Sequence, residues 1–313
     1  MVLIAAILWS AVLAVVVGAA YGAFIGARRL RVDTLTVTVP RLPPELSGLR
    51  IVHIADTHFK PTAFYDTLYE QMFNAIDAAQ PDIVMITGDI ASGNDYFQMA
   101  ARRLSRLKSR YGVFAVAGNH DLNITMERWL QGTAHLADIE EMKRTMARAG
   151  MTLLHNEHVV LEIAGRKVAV VGVGDASVGL DDVPAALAAL PEADFVVVLS
   201  HSPDVMDSAG MEVADLVLCG HTHAGQFMLP GIGPLWAPVW RDRRRGVGLL
   251  VFGDVVGHVT RGVGSTWPFR IGCPPQVAVL DLQPGPPRGR KLPPELRHPL
   301  RTATQAAAGG EGE

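Results

Sequence analysis

Seven side chains of metal-binding type recur in short, spaced groups along this chain. Asp56 and His58 form D-x-H, Asp89 follows Gly88, Asn119 stands in G-N-H-D, His201 follows Ser200, and His221 and His223 form G-H-T-H. Carboxylate, imidazole and amide oxygen favour Mn, Fe, Zn or Co over ions that select thiolates. Brought together, such groups can hold divalent metal ions. A metal also depresses the pKa of bound water, so a hydroxide is available near neutral pH and no Ser or Cys nucleophile is required. Each group has a plainer reading: Asp56 can cap a helix, Asn119 can serve a turn, and His201 can be a satisfied buried histidine. What weighs against coincidence is where the groups stand.

Each of them ends an apolar run. LRIVHIAD, PDIVMITGD, GVFAVAGNHD, DFVVVLSH and DLVLCGHTH read as buried strands that finish in a polar cluster, and KVAVVGVGD adds a sixth. On a chain leaving a strand, residues i and i+2 point the same way, so His221 and His223 emerge together. Residues 64–79, 95–108 and 136–149 lie between the runs and have helical periodicity. The alternation predicts an α/β protein with several parallel strands, whose C-terminal ends are where ligands collect.

Ahead of this region, residues 1–27 carry no charged side chain, which is long enough for a membrane-spanning helix. Arg28, Arg29 and Arg31 follow it, and no basic residue precedes it. That pattern favours an uncleaved single-pass anchor in the cytoplasmic membrane over a signal peptide, with the rest of the chain on the cytoplasmic side. Residues 28–48 read as a linker and first strand region, 49–283 as the main domain, and 284–313 as a disordered Pro/Gly/Ala-rich tail. With 49% hydrophobic and 19% charged residues a packed core is expected, and a net charge of −3 gives no reason to expect nucleic acid as a partner. Two cysteines, Cys219 and Cys273, do not make a disulfide framework.

D-x-H, G-D, G-N-H-D, S-H and G-H-T-H in this order resemble the calcineurin-like metallophosphoesterases, over residues 49–282. The stretches GHTHAGQFMLPGIGPL and VTRGVGSTWPFRIGCPPQVAVLDL are similar to a membrane-associated bacterial branch. That branch includes phosphodiesterases and UDP-2,3-diacylglucosamine pyrophosphatase-like enzymes. The resemblance implies a four-layer αββα sandwich, here with an N-terminal transmembrane helix, and a dinuclear site. Asp56, His58 and His223 would bind one divalent metal, Asn119, His201 and His221 the other, and Asp89 would bridge them. His120 would stand near the leaving group as a proton donor. Asp121 would either hold the His120 ring by its N–H or simply cap a turn. The middle residue of D-x-H is Thr57, where the family often has an apolar side chain.

The expected activity is hydrolysis of a phosphodiester or pyrophosphate, extending to lipid-linked substrates. A nuclease or a protein phosphatase would use the same metal site, and a membrane scaffold with a vestigial site is the non-enzyme alternative. His53 should face away from Asp56. Asp175 should cap a segment, and His258, Arg261 and Arg270 are further candidates for substrate or phosphate contacts. The apolar loop 228–240, followed by the arginine-rich 241–245, is expected either to pack as an ordinary loop or to touch the membrane interface.

Overall fold

The computed structural model describes residues 2–229, 231–239 and 243–285. Fourteen strands lie in chain order: β1 (Arg31–Val39), β2 (Arg50–Ile54), β3 (Ile83–Thr87), β4 (Val113–Val116), β5 (Thr152–Leu153), β6 (Glu157–Ile163), β7 (Arg166–Gly172), β8 (Phe195–Leu199), β9 (Leu216–Cys219), β10 (Met228–Leu229), β11 (Gly233–Pro234), β12 (Gly248–Phe252), β13 (Val255–Val259) and β14 (Gln276–Pro284). Two six-stranded sheets carry the fold, ordered β1-β14-β2-β3-β4-β5 and β12-β13-β9-β8-β7-β6, with β10 and β11 as a small separate hairpin. In the first sheet β2 to β5 run parallel, and in the second β7, β8, β9 and β13 do. Parallel neighbours present all their C-terminal ends at one edge, which is the property the site depends on.

The sheets face each other across an apolar layer. Ile51, Ile83, Met85, Phe114 and Val116 from the first meet Val168, Phe195, Val197, Leu216 and Leu218 from the second. Each such side chain contributes roughly 1.5–3 kcal/mol by leaving water, so the register of the two sheets is strongly held. Helices cover the outer faces. Helix α1 (Val2–Tyr21) precedes the sheets; α2 (Asp66–Ala79), α3 (Phe97–Leu104), α4 (Met126–Leu130), α5 (Ile139–Arg148) and α6 (Val183–Leu187) follow. On α2 the buried residues Leu68, Tyr69, Met72, Phe73 and Ile76 fall at three- and four-residue spacing and pack with α3 and α5 on the first sheet. Val183 and Ala186 of α6 pack on the second. The result is a helix–sheet–sheet–helix sandwich, and all six apolar runs singled out in the sequence are strands.

The expected anchor over residues 1–27 is the 20-residue α1, continued by a π-helical turn, Gly22–Gly26. Several α1 side chains fall outside the described residues, and among those described no helix is long and apolar enough to cross a membrane. The helix is present; its passage through a bilayer is not shown. Strand β14 runs to Pro284, inside the expected tail, and the rest of that tail, 286–313, lies outside the described residues.

Candidate metal centre

The first sheet delivers four of the candidate ligands. Asp56 and His58 leave β2 and are tied to the loop after β3: the Asp56 amide donates to the Gly88 carbonyl, and the His58 amide to the Asp89 carbonyl, both at 2.9 Å. The His120 amide, in the loop after β4, donates to Asp89 Oδ1 at 3.0 Å. Asp56 and His58 are fully buried and Asp89 nearly so. Gly118 has to be glycine, because a Cβ there would overlap Asp89.

The second sheet delivers the other three. His201, after β8, hydrogen-bonds through Nδ1 to the Thr87 carbonyl of the first sheet at 2.8 Å, which turns Nε2 towards Asp89 Oδ2 at 3.3 Å. After β9, the His221 amide donates to both oxygens of Asp56 at 3.1 and 3.2 Å. Gly220 permits this approach, since a Cβ would stand 2.5 Å from that of Ala55 and 2.8 Å from Asp56 Oδ2.

The side chains converge in overlapping groups. Asp56, His58 and His223 have ligand atoms within 4.8 Å of one another, as do Asp89, His201 and His221, and a third set joins His58 and Asp89 to His120. Ring nitrogens point at each other, His58 Nε2 to His223 Nε2 at 3.2 Å and His201 Nε2 to His221 Nδ1 at 3.1 Å. Asp89 reaches both groups, with Oδ2 3.6 Å from His58 Nε2 and 3.3 Å from His201 Nε2. Asn119 Oδ1 and His58 Nδ1 are buried with no hydrogen-bond partner among the described residues. A buried unpaired acceptor carries a desolvation cost of roughly 1–3 kcal/mol, and a cation beside Asn119 would offset it.

Burial and the mutual charges of the cluster shift its groups in opposite directions. Burial, with Asp89 adding to it, pushes the Asp56 carboxyl well up. Burial alone would raise Asp89 too, but His201, His120 and His58 hold it far below the usual carboxylate range. Burial drives His58 down to about 3, and burial with His201 drives His221 down to about 4, so both imidazoles are neutral and free to ligate. His201 goes the other way: despite its burial, Asp89 and Asp175 keep it well above the ordinary value. The donor set thus fits divalent cations.

Other expectations are redistributed. Asp121 does not hold the His120 ring. Its carboxylate accepts the Gly118 and Ile90 amides at 3.0 Å and the Ala91 amide at 2.8 Å, clamping the loops that carry Asp89 and Asn119. The His120 ring stands edge-on to His58, with centroids 4.8 Å apart. Asp175 caps a short 3-10 turn through the Ser177 amide. His53 turns away from the centre and pairs with His258 through their Nδ1 atoms at 2.8 Å, which takes His258 away from any substrate. Arg261 is engaged by Asp33 at 2.6 Å. Arg270 is no phosphate contact either: it is buried, donating to the carbonyls of Arg261 and Gly264 and to His223 Nδ1 at 3.1 Å. That support of His223, from a residue 47 positions away, carries no local sequence signal.

The centre opens into a cleft of about 340 Å³ lined by Asn119, His120, Met126, His221, Trp236 and Trp267, among others. Met126, on α4, was not picked out from the sequence, because a five-residue helix is too short for its apolar spacing to register. In the loop 228–240, Trp236 is exposed on the rim, while Trp240, with Arg241 after it, lies outside the described residues.

Residues 49–225 match the family of calcineurin-like phosphoesterases. The chain is 34% identical over 236 residues to phosphodiesterase YaeI of Escherichia coli (strain K12), covering 74% of this chain and 82% of that one. It is 27% identical over 271 residues to the metallophosphoesterase YkuE of Bacillus subtilis (strain 168), covering 85% and 90%. To the UDP-2,3-diacylglucosamine pyrophosphatase LpxG of Chlamydia trachomatis it is 25% identical over 297 residues, covering 80% and 88%. The matched segment runs from just before β2 to just past His223, and so takes in every strand end that supplies the buried cluster of carboxylates and imidazoles. With the donor chemistry, the sandwich and the extent of these matches in agreement, the chain belongs to the calcineurin-like phosphoesterase family and is a metallophosphoesterase, a hydrolase.

Proposed function

We propose that this chain is a membrane-anchored phosphohydrolase that uses two divalent metal ions to cleave a phosphodiester or pyrophosphate bond of a lipid-linked substrate at the cytoplasmic face. The observation that carries the reading is the convergence of Asp56, His58, His201, His221 and His223 from both sheets with Asp89 between them, and Asn119 Oδ1, on the lining of the same cleft, buried with no hydrogen-bond partner among the described residues. Asp56, His58 and His223 would hold one ion and Asn119, His201 and His221 the other, with Asp89 shared. When bound, the ions supply Lewis acidity towards the phosphoryl oxygens and water activated near neutral pH; Mn, Fe, Zn and Co all suit these donors.

The protein's own part is positioning and proton transfer. Arg270 and the Thr87 carbonyl fix the rings of His223 and His201. Asp121 holds the loops on which Asp89 and Asn119 ride. His120, lining the cleft, delivers a proton to the departing oxygen. Anchoring is supported by α1, whose Ile7, Leu8, Trp9, Leu13 and Val16 stand more than half exposed, and by the arginines that follow it. The name of the chlamydial relative, a pyrophosphatase of a diacylated sugar nucleotide, supports a lipid-linked substrate.

The test is hydrolysis by the full chain in detergent, stripped with chelator and resupplied with Mn²⁺, on a chromogenic phosphodiester and the matching monoester. Metal-dependent diester cleavage, abolished in Asp89→Asn, is expected. Failure to take up any divalent metal would overturn the reading.

A further inference from the structure

The rims of the cleft carry more apolar surface than a soluble enzyme needs. On one side, Met126, Trp129 and Leu130 of α4 stand 72%, 68% and 71% exposed. Their i, i+3, i+4 spacing puts them on one face of the helix. That face is turned outward: the Thr125 side chain caps the helix through the Arg128 amide, and Arg128 reaches back to Asp95 at 3.2 Å. None of the three belongs to a core cluster. Trp236 and Trp267, which line the same cleft as Met126, are 65% and 75% exposed, and Ile232, in the loop of Trp236, is 57% exposed. Apolar side chains gathered on both lips of one opening mark a surface made to be covered.

The end of α1 identifies the cover. The Arg270 amide donates to the Gly22 carbonyl at 3.1 Å, and Gly26 approaches Arg270 so closely that a Cβ would overlap its carbonyl. Ile271, next in the same segment, donates its amide to the Gln226 carbonyl at 2.9 Å and bridges to Phe227. The base of the proposed anchor is therefore packed on the segment that also carries Trp267 and braces the loop of Ile232 and Trp236. Phe24 and Ile25 extend the exposed apolar surface at that base, and Arg28 and Arg29 are exposed beside them. Apolar and aromatic side chains bordered by arginines match the interface of an anionic bilayer.

We propose that both lips of the cleft rest on the surface of an anionic lipid bilayer, with Met126, Trp129, Leu130, Ile232, Trp236 and Trp267 seated at the headgroup level. The metal centre then opens directly onto the membrane that α1 enters. This rests on the anchored reading above. A substrate can pass from the bilayer into the cleft without its apolar part crossing water, and only its phosphate linkage needs to reach the metals.

Tryptophan depth measures this directly. Full-length variants retaining only Trp9, only Trp129 or only Trp267, the other tryptophans replaced by Phe, are reconstituted into phosphatidylglycerol–phosphatidylethanolamine vesicles. Some of the acyl chains carry bromine close to the headgroup. Seating places Trp129 and Trp267 roughly 5–10 Å into the interface, so both lose emission to the bromines and shift to the blue. If Trp9 is quenched while Trp129 and Trp267 are not, the anchor stands and the seat is overturned. If Trp9 is not quenched either, the anchored reading falls with it. Protection of Trp129 and Trp267 from iodide without quenching by brominated lipid would put a protein, such as a second copy of this chain, on that face, and would also overturn the proposal.

Discussion

At the residue scale the motif histidines divide by what their rings touch. His58, His201, His221 and His223 face carboxylates or one another inside the buried cluster, while His120 stands edge-on to His58 and lines the cleft, which His221 and His223 also reach. A proton donor at a leaving group matters in proportion to how poor that group is, since a good one departs without help. His120→Gln is therefore expected to lose about 10²–10⁴-fold on a diester with an alkyl alkoxide leaving group, the usual span for a general acid. On p-nitrophenyl esters it should lose far less. Rates of both proteins across a series of leaving groups give the check. An equal loss throughout would assign His120 to phosphate charge or to the metal instead, as its closeness to His58 and Asp89 permits. The ligand types themselves were legible in the sequence, because donors that follow apolar runs announce strand ends. Asp121's three amides and Arg270's hold on His223 were not, because both are set by loops that meet only after folding.

At the element scale the same strand ends carry an unusual backbone. Asp56, His58, Asp89, His221 and His223 have φ of 51°, 45°, 49°, 68° and 49°, left-handed conformations that side chains other than glycine rarely adopt. Each costs roughly 1–2 kcal/mol and persists because the loops hydrogen-bond across strands, as His58 does to Asp89. Turning sharply at the end of the strand aims the side chain back over the sheet edge, so the strain helps to make the site. In chelated protein, His58→Gly is then expected to be more stable than His58→Ala by about 1 kcal/mol, with neither active. Urea unfolding of the two variants measures the difference, and equal midpoints would mean that the loop relaxes once the imidazole is gone. No sequence pattern foretold this, since Asp and His adopt positive φ only where the surrounding loop contacts require it. The same limit hid α4, whose five residues are too few for periodicity to register, and β6, whose mixed exposure blurs its alternation. The buried parallel strands were legible because they are continuous apolar runs.

At the scale of the whole molecule the metal centre lies where the two sheets meet. Asp56, His58, Asp89 and Asn119 come from the first sheet, His201, His221 and His223 from the second, and the buried charges among them are only partly balanced by protein. Apolar packing holds the sheets together along their length, while at this edge metal-free protein keeps unpaired donors and a carboxylate pushed out of its normal range. Cations binding there would act as cross-braces between sheets, and whatever binds only the folded state stabilises it by mass action. At one hundred times its dissociation constant, one bound ion contributes about 2.7 kcal/mol. For a chain of 313 residues that corresponds to a rise in Tm of roughly 4–5 °C. Calorimetry of chelated and Mn²⁺-loaded protein should show that rise as one cooperative transition moving upward. The rise should be lost in His201→Ala, which removes a donor of the second sheet, and equally in Asp56→Asn, which removes one of the first. If His201→Ala kept the full rise while Asp56→Asn lost it, the ions would sit on one sheet alone, and the centre would not join the two halves of the sandwich.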